Sequence, residues 1–469
     1  MNVLTQVTAA DLCIGCGVCA GVCPVQCLRM ESQDDGLYRP VMSGECIHCG
    51  LCVRVCPFSP EPASNEDSLA DSLFGSLPND AVHPVIGHWQ AAYEARARGR
   101  EIYGDRSSGG LSTWMLCKLL DSGTVDSVAC VVPTADPLRR FEYRLLSRKA
   151  DVQAAAKSCY YPVELSQVIR HLLQSKDERV AIIGLPCYMK ALRLACKQVP
   201  SLHETIPFMI GLTCGQLKTK QFADYLLAEL GVGTNDALRI SFREREPGRP
   251  MQDFCFSVRT HRATSEKLPS SRGYGPIRGS REFTPLPCLF CDDVSAEVAG
   301  VTYMDAWLPR YQESRRGANL VVVRADWAAT LLSEGMKNRE LVARKIGIQD
   351  VVASQRGVVR RKRRDLPIRL AIASSNGWVV PRKRVSPMRG TLNQRIHNKY
   401  ELKCSVLSRE AFSQVFGGGS TSAYRTAMRR KLWMFRVYFL AERILRGAVR
   451  RLERAVPSSL ATSFRRRCS

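Results

Sequence analysis

Long apolar runs are missing from this 469-residue chain. No stretch reaches the roughly 18 uninterrupted apolar residues that a spanning helix needs, and even Leu432 to Ala441 is broken by Arg436, so a membrane-crossing protein is excluded. The first residues, Met1 to Leu12, show no basic start, apolar core or cleavage site. No secretory leader is therefore expected, and the 20 cysteines read as thiols of a reducing cytoplasm rather than as a disulfide framework. Acidic residues are scarce in one region only. Val351 to Ser469 holds 28 basic against 5 acidic residues, whereas the 350 residues before it are nearly balanced at 40 against 39. This excludes a uniformly basic protein, and only the tail is expected to meet an acidic surface. What is present otherwise, 45% apolar and 24% charged residues, is globular composition with room for two or three domains.

Nine cysteines fall within the first 56 residues, a density that no hydrophobic core requires. Cys13, Cys16, Cys19 and Cys23-Pro24 follow the spacing C-x2-C-x2-C-x3-C-P, and Cys46, Cys49, Cys52 and Cys56-Pro57 repeat it. Three thiolates at intervals of three wrap one corner of a cubane cluster, and the fourth, held off by proline, reaches the other cluster in two-cluster ferredoxins. The expected sets are thus Cys13, Cys16, Cys19 and Cys56 on one 4Fe-4S cluster, and Cys46, Cys49, Cys52 and Cys23 on the other. A pair of zinc sites is the alternative, although zinc knuckles rarely use four cysteines so tightly spaced. Cys27 is left over and is read as a small buried residue beside the first cluster, and His48 as a solvated loop residue.

Residues 1–58 form this ferredoxin module, and 59–87, with Pro60, Pro62, Pro78 and Pro84, form a linker or wrapping arm. From Trp89 the pattern alternates between helices and strands. Leu111 to Leu120 is a helix and Ser127 to Val132 a buried strand. Arg179 to Gly184 and Ile206 to Gly211 are strands, followed by helices at Tyr188 to Lys197 and Thr219 to Leu230. The fold class expected over 88–365 is α/β with a mostly parallel sheet. Residues 260–287 read as a long loop, a lid over a site. Residues 366–420 read as extension and linker, with Gly417-Gly418-Gly419-Ser420 as a flexible joint, and 421–469 as a basic tail whose Tyr424 to Ala455 is one helix.

Cys187 and Cys214 each follow a strand, and the carboxyl ends of parallel strands are where an open α/β sheet builds its site. Cys288 and Cys291 add a C-x-x-C pair, giving four thiolates for a third cluster, for a zinc site, or for unrelated buried positions. Ser107-Ser108-Gly109-Gly110 precedes the helix from Leu111 and offers hydroxyls and backbone N–H groups at a positive helix end, which suits a phosphate, with Arg106 adding charge. A plain helix cap is the alternative.

Taken together these residues resemble the family of beta subunits of coenzyme F420 hydrogenases and dehydrogenases. The resemblance runs in family order through Arg106-Ser-Ser-Gly-Gly110, Ile183-Gly-Leu-Pro-Cys187, Gly211-Leu-Thr-Cys214, Cys288-x-x-Cys291-Asp292, Ala296-Glu297 and Asp305-Ala-Trp307. It implies FAD near Arg106, Ser107, Ser108, Gly109 and Gly110, and a 4Fe-4S cluster on Cys187, Cys214, Cys288 and Cys291. It also implies an oxidoreductase passing electrons between a hydride carrier, F420 or another, and an organic substrate or redox partner protein. Some relatives of this family resemble proteins of exopolysaccharide synthesis. An electron-relay subunit or an iron-sulfur scaffold without turnover is the alternative. The chain departs from the family pattern at Gly300, where an Asp is usual, and at Met304, where a Gly is usual, and a methionine there is expected to reshape the cofactor pocket. Asp292, Glu297 and Asp305 match acidic family positions and receive no acid-base role.

The tail from Tyr424 to Ala455 interleaves ten basic residues with Leu432, Trp433, Phe435, Phe439 and further apolar positions. Such a helix suits an anionic membrane surface, with Trp433, Tyr438 and Phe439 below the head groups, placing the protein in the cytoplasm at the inner face of the membrane. A helix packed on the body is the plain alternative. Nucleic acid is disfavoured despite the Arg360 to Arg364 run, because no nucleic-acid fold surrounds it.

Overall fold

The computed structural model describes residues 2–455 other than 61–63, 79–80, 100–106, 176, 247–248, 250–252, 263, 272–274, 312–316 and 416–419. Arg106 and most of the glycine-rich joint before Ser420 therefore lie outside the described residues. The amino-terminal module carries one antiparallel hairpin, β1 (Leu28–Ser32) with β2 (Tyr38–Met42). The arm that follows folds in part as helix α1 (Glu66–Phe74), whose first turn is capped by the Asn65 side chain accepting from the Ser68 N–H. Leu69, Ala70 and Phe74 are buried, so this segment wraps the body.

The body is built on an eight-stranded sheet. Its strands are β3 (Ala91–Ala97), β4 (Ser127–Pro133), β5 (Phe141–Leu146), β6 (Val180–Gly184) and β7 (Phe208–Leu212). After a separate three-stranded antiparallel sheet, β8 (Ala237–Glu244), β9 (Cys255–Thr260) and β10 (Ser265–Pro269), come β11 (Val301–Asp305), β12 (Asn319–Val323) and β13 (Leu341–Lys345). The order is β13-β3-β12-β11-β7-β6-β4-β5. The centre β11-β7-β6-β4 is paired parallel, and the flanking pairs are antiparallel. Five strands, β3, β11, β7, β6 and β4, run the same way, so the body is the mostly parallel α/β sheet that alternating elements imply.

Central parallel strands need cover on both faces, and β6 is buried along its whole length. Alternation sends Ala181, Ile183 and Ile210 to one face, against α2 (Leu111–Asp121) and α6 (Asp326–Lys337). It sends Val180, Ile182 and Met209 to the other, where α3 (Ser166–Gln174), α4 (Pro186–Gln198) and α5 (Lys220–Glu229) lie. The ferredoxin module docks on this second face. The Leu165 N–H donates to the Cys16 carbonyl at 2.9 Å, the Lys220 N–H to Gly36 at 2.8 Å, and Arg170 to the Leu28 carbonyl at 2.6 Å. Gly17 allows the approach: its φ is 77°, and a Cβ there would stand 2.5 Å from a Glu164 carboxylate oxygen.

Two segments differ from the sequence reading. Residues 260–287 hold the end of β9, the strand β10 and the short helix Gly275–Gly279, so part of the expected loop, Ser265–Pro269, pairs with β9 instead. The span read as extension and linker forms α7 (Leu366–Ser375) and α8 (Leu392–Val415), whose buried Arg369, Leu402, Ser405, Ser408 and Phe412 belong to the body. Polar residues hid the packing, because Ser405 and Ser408 are buried by bonding the Thr284 carbonyl and the Phe283 N–H. The described residues of the tail form two helices, α9 (Thr421–Lys431) and α10 (Trp433–Ala455), broken at Leu432.

Candidate iron-sulfur centres and flavin loop

In the amino-terminal module each loop places three cysteines around a short helix whose first turn follows a left-handed glycine, Gly17 or Gly50. Burial pushes the Cys19 thiol well up, and the next contributions come from Cys16, Cys13, Cys56 and then Cys52. Burial lifts Cys52, with Cys49, Cys23 and Cys46 as charged neighbours. The leading contributions thus couple Cys56 to Cys13, Cys16 and Cys19, and Cys23 to Cys46, Cys49 and Cys52. Cys13, Cys16 and Cys19 are buried, whereas Cys49 is exposed. The second set opens onto a shallow surface hollow rimmed by the exposed Val25, Met42 and Ile47. Cys27 is buried, but its sulfur lies 3.5 Å from that of Cys23 and beside Cys46, so it neighbours the second set and not the first.

β6 and β7 are parallel neighbours with Gly184 opposite Gly211, so the residues following them, Cys187 and Cys214, meet at the carboxyl edge of the sheet. Burial pushes Cys187 well above the ordinary thiol range, followed by the influence of Cys214, Cys291, Cys288 and then Cys16 of the ferredoxin module. Burial likewise pushes Cys288 up to about 12, with Cys214 as its nearest charged neighbour. Four sulfurs are therefore gathered, and a fifth from the other module is within their field. Thiols so buried ionise only beside positive charge, which a metal centre supplies. Lys362 supplies more: its ammonium group is buried and lies 3.1 Å from the Cys291 sulfur and 2.6 Å from the Asp293 carbonyl. The basic run Arg360 to Arg364 is thus partly an interior element rather than a solvated patch.

A second ring of charge surrounds these cysteines. Burial alone would raise Asp292, but Lys383 at 3.3 Å and Arg384 at 3.1 Å hold it well below the carboxylate range. Glu297 is bound by Arg384 at 2.7 Å and by Arg363 at 2.7 Å, while burial pushes it up to about 7. The wrapping arm contributes Glu66, paired with Lys190 at 3.1 Å, and Asp67, paired with Arg384 at 2.6 Å. Asp292 and Glu297 are thus tied to the basic side chains of Arg363, Lys383 and Arg384. Asp305 accepts from Arg243 at 2.8 Å.

The Ser107 to Gly110 loop is clasped by the chain itself. Ser108 donates to the Ala318 carbonyl at 2.9 Å and accepts from the Asn319 amide at 3.1 Å. The Leu111 N–H donates to the Asn319 oxygen at 3.2 Å, and Ser107 accepts from the Ser158 N–H at 3.3 Å. A Cβ on Gly109 would stand 2.7 Å from the Asn319 nitrogen, so that glycine serves close packing of loop on strand. Both hydroxyls and one N–H of the helix end are engaged internally. Sequence reading missed Arg243, which is buried, donates to the Ser107 carbonyl at 3.2 Å and stacks 4.0 Å from the Phe254 ring. Its only signal was a charged residue within the strand pattern of β8. Met304 also differs from expectation: strand alternation turns it away from Asp305, into an apolar cluster with Ile86, Leu320 and Val322.

A two-motif cysteine module fused to an α/β body with its own buried cysteine set defines an iron-sulfur protein of the electron-transfer class. Family models agree. Residues 12–59 match the 4Fe-4S dicluster domain, residues 92–170 the amino-terminal part of the coenzyme F420 hydrogenase/dehydrogenase beta subunit, and residues 177–348 its carboxyl-terminal part. The two beta-subunit matches together span more than half of the chain, which therefore belongs to the family of coenzyme F420 hydrogenase/dehydrogenase beta subunits. A relative, one of the subunits of the F(420)H(2) dehydrogenase of Methanosarcina mazei, is 22% identical over 339 residues, covering 69% of this chain and 82% of its own. A structure of the F420-reducing [NiFe] hydrogenase complex from Methanosarcina barkeri aligns with a TM-score of 0.46 at 16% identity, over 60% of this chain and 92% of that one. No helix among the described residues is long and apolar enough to cross a membrane.

Proposed function

We propose that this protein is an iron-sulfur flavoprotein oxidoreductase that exchanges electrons between a hydride carrier of the F420 type and a redox partner. The observation that carries this reading is the run of buried and half-buried thiols from Cys214, Cys288 and Cys291 through Cys187 to Cys16 and Cys56, and on to the surface set at Cys49. Three 4Fe-4S clusters held by these sets would pass electrons between the sheet edge and the surface. Cys187, Cys214, Cys288 and Cys291 hold the inner one.

FAD belongs at the carboxyl edge of the sheet, beside the clasped loop and Arg243. The family implies it, and the location is where an open α/β sheet binds a nucleotide. A flavin takes up a hydride as an electron pair and releases single electrons, which the clusters carry one at a time. Asn319 fixes the loop that would hold the flavin, and Arg243, held in place by Asp305 and Phe254, would supply it a buried cation. The remaining backbone N–H groups at the start of α2 serve the phosphate.

The test is anaerobic oxidation of reduced F420 by the full chain with a viologen acceptor, alongside NADH. Turnover with reduced F420 supports the reading. Protein that holds its full iron but is reduced by no hydride donor would leave an electron-relay subunit instead.

A further inference from the structure

Among the described residues, helix α10 has two apolar sides, of which one is covered. Toward the body, the Phe435 ring lies 5.6 Å from Tyr400, Phe439 lies 5.0 Å from Tyr400 and 4.7 Å from His397, and Tyr438 donates to the Asn393 side chain at 3.3 Å. Tyr438 and Phe439, expected at a lipid surface, therefore face α8. Outward stand Trp433, Met434, Val437, Leu440, Ile444 and Leu445, each between 57% and 67% exposed. At 100° per residue, Trp433, Val437, Leu440 and Ile444 fall within about 60° of one another, a stripe along three turns. A packed helix with a second apolar stripe in water is incomplete without something over it.

Charge selects the covering surface. Arg436 and Arg443 are exposed along one flank of the stripe, and Arg429, Arg430 and Lys431 are exposed at the end of α9, which leads into it. Between Thr421 and Leu445 the sequence has one acidic residue, Glu442. Its carboxylate is turned inward, accepting from Asn393 at 2.9 Å and lying 3.2 Å from His397. The outward surface is thus apolar and cationic. A second copy of the chain would bring the arginine flanks together, which like-charge repulsion opposes. An anionic lipid surface satisfies both features: apolar side chains enter the boundary of head groups and acyl chains, and arginines meet the phosphates.

We infer that α10 is an interfacial anchor that docks the protein on an anionic bilayer through Trp433, Val437, Leu440 and Ile444, with Arg436 and Arg443 at the head groups. The helix lies in the plane of the interface, because its arginines prevent spanning. This goes beyond the redox reading and does not depend on it.

The experiment is flotation of the full-length protein with phosphatidylcholine vesicles, with or without one-third phosphatidylglycerol. Leu440→Glu/Ile444→Glu and Arg436→Glu/Arg443→Glu are run alongside, with light scattering of the free proteins. The wild type is expected to float with the anionic vesicles, about tenfold more than with neutral ones, and to lose that binding at high salt. Each double variant should bind about tenfold less at unchanged iron content. All of these side chains are exposed, so the fold is preserved. A wild type that floats with neither vesicle overturns the inference. So does a wild-type dimer that Leu440→Glu/Ile444→Glu converts to monomer, which would show a second copy on the stripe.

Discussion

The ammonium nitrogen of Lys362 lies 3.1 Å from the sulfur of Cys291, buried among the third set of cysteines. Burial works against that charge, and the Cys291 and Cys214 sulfurs hold it protonated, above the ordinary lysine range. A cluster gains negative charge on reduction, and a fixed cation beside a ligand favours the reduced state in a low-dielectric interior. Lys362→Met is expected to make reduction of the third cluster about tenfold less favourable, or about 59 mV lower for a one-electron couple, leaving the other two unchanged. Lys362→Arg should keep most of the potential. An EPR-monitored redox titration reads this, and an unmoved third potential would show that Lys362 serves packing alone.

The crossed grouping of the ferredoxin cysteines gives a second expectation. Cys56 stands with Cys13, Cys16 and Cys19, and Cys23 with Cys46, Cys49 and Cys52. Cys16→Ser/Cys56→Ser should therefore lose one cluster, about four iron, whereas Cys16→Ser/Cys23→Ser should lose two, about eight. Equal losses from the two pairs would contradict the crossing.

Asn319 holds the Ser-Ser-Gly-Gly loop through its amide nitrogen and oxygen together. Asn319→Ala leaves the Leu111 N–H without its acceptor and should cost about 1–2 kcal/mol in urea unfolding. If the loop carries FAD, bound flavin falls in the same variant while iron stays constant. Retained flavin would move the FAD site away from the loop.

Arg409 on α8 reaches back to the ferredoxin module, meeting Asp11 at 2.5 Å and Asp35 at 3.2 Å. Removing it strands two partly buried carboxylates that Arg39 alone must then neutralise. Arg409→Ala should cost about 2–3 kcal/mol and raise hydrogen exchange first in β1 and β2. Uniform exchange across the chain would show that Arg409 does not hold this contact.

The cysteine motifs were legible because their chemistry is written within a dozen residues, Cys13 to Cys23 and Cys46 to Cys56. Cys187 and Cys214 were legible for a related reason: each closes a buried apolar run, and such runs pair as neighbours in a parallel sheet. Contacts distant in the chain left no comparable trace. Lys362 meets Cys291 from 71 residues away, and its surroundings, Arg360 to Arg364, look like a solvated charge run. α8 was read as linker because Ser405, Ser408 and Arg409 are polar, although buried hydrogen bonds and ion pairs tie them to Thr284, Phe283 and Asp11. In α10 the sequence marks apolar residues on two sides of the helix, and only the position of Tyr400 and His397 decides which side faces inward.

Metal and flavin content on one anaerobic sample tests most directly whether three cysteine sets hold three clusters beside a flavin. Iron, sulfide, zinc and FAD should be quantified together with the reduced-state EPR spectrum. The expected result is about twelve iron and twelve sulfide per chain with FAD and no zinc. About eight iron with one zinc and no flavin would contradict it, leaving a two-cluster ferredoxin joined to a body whose Cys187, Cys214, Cys288 and Cys291 hold zinc for structure.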